Sequence, residues 1–362
     1  MNRSLPALAR VGVLAAALTV AVAGPAAADP NNVNPIPGIN GQPRGLPRLT
    51  GPTQAVFQVT GMDSPNHTEN ANVLGTDLGV MWDDGGGRMI TAFGDSAGMG
   101  VPNLLAGSFW AWSSNVLFRS TTKNPANGII FDSVVPNPLP SPKIPGIEIS
   151  LIPTAGIAVG GVQFMSMMSV REWGDHGKWD TNFSTLAASG DGGQTWAQLT
   201  NTRRANVDGH EKFQQNAFVK DAGYVYRYGS PGGRDNPGFV SRAKEADIAN
   251  IDAYEYWDGT AWKPGDAKTA APIVGGVAEL SVRWNDYLGK FVMLTTDPAN
   301  SVVMRTAAAP QGPWGEPQVL ITGPSLPSAY APMIFPYQTG RDLYFMLTVH
   351  NQYNVLLMRT PL

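Results

Sequence analysis

Five repeats of one strand pattern dominate the sequence. Short runs rich in β-forming residues begin at residues 89, 162, 224, 291 and 343. A second run follows each of them after a polar loop, at residues 115–120, 184–189, 238–242, 301–306 and 354–360. A third run precedes each pair, at residues 75–82, 154–159, 217–220, 279–284 and 331–335. Each repeat is therefore a β-meander, and units of this kind bury their apolar faces by stacking side by side.

The number of repeats predicts the fold class. Five meanders joined by long loops predict an all-β protein, a five-bladed β-propeller. We expect the strand at residues 55–61 to join the C-terminal blade and close the ring. Closure would remove the open sheet edges that otherwise promote aggregation.

The N-terminus divides the chain into three predicted parts. Arg3 and Arg10 flank the start of an apolar run over residues 11–22, and small residues follow at 26–28, which predicts a signal peptide at residues 1–28. The run is shorter than the ~20 residues that cross a bilayer, so we expect a secreted or cell-envelope protein with no membrane span. Residues 29–52 are rich in Pro, Asn and Gly, typical of a flexible linker. Residues 53–362 form the predicted catalytic domain, a propeller.

Composition excludes several classes of partner and cofactor. The chain has no cysteine, which excludes disulfides and thiolate metal sites. Its net charge of −3 provides no basic surface for nucleic acid. The four histidines lack the spacing of a zinc site. We therefore expect no metal or other cofactor, although a structural calcium ion in the central channel is left open. We also expect a monomer whose binding partner is uncharged.

Residues 189–196 read Ser-Gly-Asp-Gly-Gly-Gln-Thr-Trp, the pattern of an Asp box. In such a box the Asp accepts hydrogen bonds from backbone amides of a turn, and the glycines allow positive φ. We interpret this motif as a structural turn. A sialidase is disfavoured, because no Arg triad with a Tyr–Glu couple accompanies the box.

Two aspartates of the first repeat are the candidate catalytic residues. In a propeller blade, the start of the inner strand and the loop after the second strand lie at the same end of the ring, which places Asp77 beside Asp95. Two carboxyl groups flanking a glycosidic bond are the minimum required to hydrolyse it. Their proximity would raise one pKa so that one group stays protonated. The alternative is that both aspartates only cap turns.

The same topological rule collects a polar and aromatic rim, as expected of a sugar cleft. Glu279 is its strongest member, since it opens an inner strand, although a salt bridge to an arginine such as Arg283 is the alternative role. Asp175 and His176 also fall on this rim. The predicted substrate-binding residues are Glu279, Asn115, Trp112, Trp173, His210, Gln214 and Arg283.

Four segments together resemble a known family: residues 75–82 (GTDLGVMW), 90–95 (ITAFGD), 114–120 (SNVLFRS) and 279–285 (ELSVRWN). The chain resembles secreted actinobacterial proteins of domain-of-unknown-function family 4185, which include endo-D-arabinanases of glycoside hydrolase family 183. The resemblance runs from about residue 55 to the C-terminus. One departure is Ser96, where family members commonly have Thr, a change that keeps the hydroxyl.

The resemblance implies a function. It implies a five-bladed propeller that cleaves internal α-D-arabinofuranosyl linkages in mycobacterial-type cell-wall arabinan, in arabinogalactan or lipoarabinomannan. The paired aspartates of the family match Asp77 and Asp95. The alternative is a non-catalytic carbohydrate- or protein-binding propeller at the cell envelope.

Overall fold

The computed structural model describes residues 33–39, 44–104, 108–174, 177–337 and 339–362. The predicted signal peptide therefore lies outside the described residues. Within them there is no α-helix, and the short 3₁₀ helices are Thr68–Ala71, Pro125–Asn127, Glu245–Asp247, Ile251–Ala253, Ala267–Thr269 and Gly323–Ser325. The strands form five antiparallel sheets arranged as a five-bladed β-propeller, which confirms the predicted fold class.

Blades 1 and 2 have the longest strands. Blade 1 contains β2 (Gly75–Asp83), β3 (Met89–Gly98), β4 (Ala111–Ser113), β5 (Val116–Ser120) and β6 (Ser133–Pro136). Blade 2 contains β7 (Ser150–Val159), β8 (Val162–Trp173), β9 (Trp179–Ser189) and β10 (Ala197–Ala205).

The other three blades follow the same meander. Blade 3 contains β11 (Gln215–Asp221), β12 (Tyr224–Ser230), β13 (Asn236–Lys244), β14 (Glu255–Trp257), β15 (Trp262–Pro264) and β16 (Val274–Val277). Blade 4 contains β17 (Ser281–Asn285), β18 (Lys290–Thr296), β19 (Val302–Ala307) and β20 (Gln318–Ile321). Blade 5 contains β21 (Ala329–Ile334), β22 (Asp342–Val349), β23 (Asn354–Pro361) and β1 (Gln54–Gln58).

The ring closes through β1, as predicted. β1 pairs antiparallel with β23, and Gln54 lies opposite Arg359. The N-terminal strand thus supplies the outer edge of the C-terminal blade. The five inner strands contact one another in a cycle, β2 to β7, β11, β17, β21 and back to β2, so they enclose the central channel.

A tryptophan packs between blades 1 and 2. Trp82 is 2 % exposed, and its indole N–H donates to the Gln163 side chain at 2.9 Å. It packs edge-on against Trp196 of the Asp box, with ring centroids 6.3 Å apart. Gly156 leaves the space for its ring, because a Cβ there would lie 2.1 Å from Trp82. The side chain of Asp191 accepts hydrogen bonds from the amides of residues 194 and 195, so the box acts as the structural turn that we expected.

Part of the predicted linker packs on the propeller. Val33 and Pro35 are buried, and the Asn34 amide donates to the carbonyl of Asn351 at 3.5 Å. Leu49 packs against the core of blades 4 and 5. The low average hydrophobicity of residues 29–52 conceals these few apolar residues, which bury part of their surface against the propeller.

Candidate active site

A narrow cavity lies where the five inner strands begin, at one end of the channel. Its unfilled space is about 40 Å³, room for only a few water molecules. Every blade contributes to its walls. The lining residues are Asp77, Leu78, Asp95, Ile152, Thr154, Met168, Trp173, Trp179, Gln215, Asn216, Glu279, Leu280, Tyr330, Met333 and Tyr353.

A β-bulge brings the two predicted aspartates together. Thr76 pairs with Ser96 while Leu78 pairs with Phe93, so Asp77 alone faces two residues of β3, Gly94 and Asp95. Bulges next to functional sites redirect a side chain in this way. A Cβ at residue 94 would lie 2.3 Å from Oδ1 of Asp77. The glycine is therefore required for the Asp77 carboxyl to reach its position beside Asp95.

Asp77 lies in an environment that favours its protonated form. Its buried Oδ1 has no hydrogen-bond partner among the described residues, whereas the Tyr330 hydroxyl donates to its Oδ2 at 2.9 Å, a contact that favours the ionised form and only partly opposes the effect of burial. Burial, followed by the nearby charge of Asp95, raises the pKa of Asp77 to about 8. The carboxyl group of Asp77 therefore keeps its proton at neutral pH.

The raised pKa predicts a pH-dependent effect of Asp77 on stability. Since the folded-state pKa lies above that of the unfolded chain, the unfolded state loses this proton first as pH rises, and folding becomes less favourable between about pH 4 and pH 8. The Asp77→Asn variant lacks this cost. We expect its free energy of unfolding, relative to wild type, to increase by about 1.4 kcal/mol per pH unit across that window.

Urea denaturation at pH 4.5 and pH 8 measures this difference. Asp83→Asn is the matched control, because Asp83 ends the same strand and is exposed at 44 % of its side chain. We expect no comparable pH trend for that variant. An Asp77→Asn stability difference that is the same at both pH values would contradict a raised pKa.

Asp95 is buried beside Asp77, but unlike Asp77 it is in direct contact with a cationic side chain. It is 3 % exposed, and its Oδ1 accepts hydrogen bonds from the Lys143 ammonium and, at 2.5 Å, from the Ser150 hydroxyl. Burial raises the pKa of Asp95, whereas the Lys143 charge opposes that rise. The two aspartates therefore share one cavity and differ in their contacts.

Glu279 lines the cavity as predicted, and its ion-pair partner is Arg234. The Arg234 guanidinium donates to Oε1 of Glu279 at 3.0 Å and lies 4.8 Å from the centre of the Tyr330 ring. Both charged side chains are nearly buried. Oε2 of Glu279 is buried without a hydrogen-bond partner among the described residues, so it remains available to a ligand hydroxyl.

Trp173 lines the cavity, but three other predicted contacts do not. Trp112 packs edge-on against Tyr353 at 5.4 Å, one layer behind the wall. The buried Asn115 side chain binds backbone groups of residues 139 and 151. Gln214 is fully buried and donates to the carbonyl of residue 204. These amide groups therefore stabilise the fold around the site rather than face a substrate.

The remaining predictions fall elsewhere. His210 is exposed in the loop before β11 and does not line the cavity. Arg283 donates to the carbonyl of Met81 at 2.6 Å and lines a wider cavity of about 710 Å³ where the inner hairpins turn, at the opposite end of the channel. Asp175 and His176 lie outside the described residues.

Sequence reasoning missed several cavity residues. Tyr330 directly precedes the predicted inner strand of the fifth repeat, a position like that of Glu279, so the rule that found Glu279 could have found it. Lys143 carries no such signal, since it lies in the irregular segment between β6 and β7. Gln215, Asn216 and Tyr353 were also missed.

The described residues contain no group of three or more His, Asp or Glu side chains able to hold a metal ion. They also contain no helix with the length and apolar character needed to span a membrane.

Known proteins share this fold. A family 117 glycoside hydrolase from the marine bacterium Zobellia galactanivorans superposes with a TM-score of 0.53 at 10% identity, over 86% of this chain and 90% of that chain. The catalytic domain of the Coprinopsis cinerea GH62 α-L-arabinofuranosidase gives a TM-score of 0.50 at 9% identity, over 85% and 95%. At such low identity these likenesses establish the fold alone.

A sequence relative is notoamide biosynthesis cluster protein J of Aspergillus sp. (strain MF297-2), which is 28% identical over 215 residues. That match spans 56% of this chain and 56% of the relative. A much longer match, over residues 63–359, is to the family described as Domain of unknown function (DUF4185). Since this match covers most of the chain and strands of all five blades, the chain belongs to the DUF4185 family.

Proposed function

We propose that this protein is a secreted, endo-acting glycoside hydrolase that cleaves α-D-arabinofuranosyl linkages in mycobacterial-type cell-wall arabinan. Asp77 and Asp95 are the proposed catalytic carboxyl groups. The observation that carries this proposal is their placement in one narrow cavity with different contacts, one beside a phenol and the other beside a cation. Hydrolysis of a glycosidic bond needs one carboxyl group that donates a proton and one that is ionised.

The walls of the cavity suit a hydroxyl group or the edge of a sugar ring, since the volume of about 40 Å³ admits only a few water-sized groups. Trp173, Tyr330 and Tyr353 supply aromatic surface, which packs against the C–H faces of a sugar ring. Glu279 supplies a polar atom, its unpaired Oε2, and such a group fixes the orientation of a hydroxyl. The combination favours a neutral, hydroxylated ligand.

The choice of polymer rests on the sequence. The segments at residues 75–82, 90–95, 114–120 and 279–285 resemble endo-D-arabinanases, and three of the four contribute lining residues to the cavity. The shared fold with an α-L-arabinofuranosidase supports the broader class of glycoside hydrolase. The signal-like residues 1–28 favour action at the cell envelope.

Digestion of purified glycans tests the proposal. We expect the protein without residues 1–28 to release arabino-oligosaccharides of several lengths from arabinogalactan and lipoarabinomannan between pH 4 and pH 8, detected by anion-exchange chromatography. The Asp77→Asn/Asp95→Asn double variant is the inactive control, and a plant L-arabinan tests sugar selectivity. Saturable glycan binding with no products at any pH would favour a non-catalytic binding propeller. Release of arabinose alone would contradict endo action.

A further inference from the structure

We propose that Lys143 and Ser150 are positioning residues that hold Asp95 as the ionised member of the pair and turn its second oxygen toward the substrate, which leaves Asp77 as the proton donor. The inference rests on the proposed hydrolase function and deepens it, because it assigns separate roles to the two carboxyl groups.

Both donors converge on a single oxygen of Asp95. The Ser150 hydroxyl donates to Oδ1 at 2.5 Å, and the Lys143 ammonium donates to the same atom. Lys143 also donates to the Ser150 hydroxyl at 3.2 Å, so the three groups form a closed triangle. None of the described residues donates a hydrogen bond to Oδ2 of Asp95 in this arrangement. A carboxylate fixed through one oxygen leaves the other free to receive a proton or attack carbon.

The triangle joins two blades. Asp95 belongs to β3 of blade 1, Ser150 is the first residue of β7 in blade 2, and Lys143 lies in the connection between those blades. Lys143 has a φ of 58°, a left-handed conformation that costs about 1 kcal/mol or more for a residue with a Cβ. Its side chain is only 16% exposed. The backbone of Lys143 is therefore held in an unfavourable conformation, and its long side chain is ordered against the carboxyl group of Asp95.

The charges around the two aspartates differ in sign. The titratable groups that face Asp95 are Lys143, Asp77 and Tyr353, and only the lysine is cationic. Asp77 contacts the neutral phenol of Tyr330, while the charges of Glu279 and Arg234 reach it as an opposed pair. A cation in contact favours the ionised form of a carboxyl group. The first proton is therefore lost from Asp95, and the resulting negative charge helps Asp77 to retain its own.

A Lys143→Met variant tests the proposal, because it keeps the apolar stem and removes the charge. We expect kcat to fall at least tenfold with little change in KM, and the acid limb of the kcat/KM profile to move up by at least one pH unit, since Asp95 must then lose its proton without help. Lys143→Arg keeps the positive charge, so we expect its acid limb to lie close to the wild-type position. Ser150→Ala should produce a smaller shift in the same direction.

Lys123→Met is the matched control. Lys123 also pairs with an aspartate, Asp83, at 3.6 Å, but at the other end of the channel. We expect its pH profile to match that of the wild type. A fall in kcat for Lys143→Met with an unshifted acid limb would reduce Lys143 to a structural support and overturn the proposal.

A second measurement does not depend on activity. Carboxyl ¹³C NMR, with the Asp95 signal assigned from its loss in Asp95→Asn, follows the protonation of Asp95 directly in wild type, Lys143→Met and Ser150→Ala. A higher titration midpoint in the variants supports the proposal even if no arabinan is cleaved, in which case only the proposed function fails. An unchanged midpoint overturns it whatever the enzyme cleaves. If Lys143→Met does not fold, as judged by circular dichroism, the Ser150→Ala titration decides.

Discussion

If the proposed function is right, we expect the Asp77→Asn variant to turn over polymeric arabinan about 10²- to 10⁴-fold more slowly than the wild type. The expectation follows from the environment of the carboxyl group, because burial and the nearby charge of Asp95 raise its pKa to about 8 despite the opposing hydrogen bond from Tyr330. Such a group carries a proton at neutral pH and can give it to the departing sugar oxygen. Asn has nearly the same shape but no proton of comparable acidity.

The leaving group distinguishes proton donation from other roles of Asp77. An aryl glycoside of an arabino-oligosaccharide leaves as a stable phenolate and needs little protonation. We expect the Asp77→Asn variant to cleave this substrate with only a small loss, when its kcat is compared with that of wild type. Equal losses on the aryl substrate and on the polymer would contradict the role of Asp77 as acid. Asp83→Asn, at the other end of the same strand, should behave as wild type on both.

The repeat pattern was sufficient to predict the ring and to place both aspartates at the end of the ring where the narrow cavity lies. Meander topology places the start of β2 beside the end of β3, so Asp77 and Asp95 could be paired from sequence. The bulge that puts Asp77 opposite Gly94 and Asp95 could not. Its position depends on a one-residue difference in register, and strand periodicity alone does not reveal such a difference.

Arg283 shows why the predicted rim was too broad. It lies four residues after Glu279 in the sequence, and extended chain rises about 3.3 Å per residue, so the two residues can lie up to about 13 Å apart. Glu279 therefore faces the narrow cavity, whereas Arg283 reaches the opposite mouth. The prediction that Arg283 lies in a strand is confirmed, whereas Glu279 lies two residues before β17 rather than at its start, and the prediction did not take depth along the channel into account.

Some polar side chains near the site form hydrogen bonds with backbone groups instead of lining the cavity. Asn115 and Gln214 offer the donors and acceptors that bind sugar hydroxyls, yet both are buried and satisfy loop carbonyls. Buried backbone groups need such partners, and a sequence does not show which carbonyls a fold leaves unpaired. Lys143 is the converse case: an irregular segment gives no periodicity, so only the folded chain reveals its contact with Asp95.

Removing the Asp95 side chain should have the largest effect of all. We expect Asp95→Ala to lower turnover by on the order of 10⁴-fold, at the upper end of what a single proton-transfer group contributes, on the polymer and on the aryl glycoside alike. A good leaving group does not compensate, because the missing carboxylate acts on the opposite face of the sugar, as base or as nucleophile.

Azide tests on which face of the sugar Asp95 acts. In Asp95→Ala the lost side chain leaves space for azide, which attacks the anomeric carbon of the aryl α-arabinofuranoside as the bond to the phenolate breaks. We expect azide to restore turnover and to yield a β-configured glycosyl azide, identified by NMR, because attack comes from the face opposite the leaving group. Asp132→Ala, which removes an exposed partner of Arg88 in the same blade, should retain wild-type turnover without azide. An azide product of α configuration would place Asp95 on the leaving-group side and reverse the roles assigned to the two aspartates.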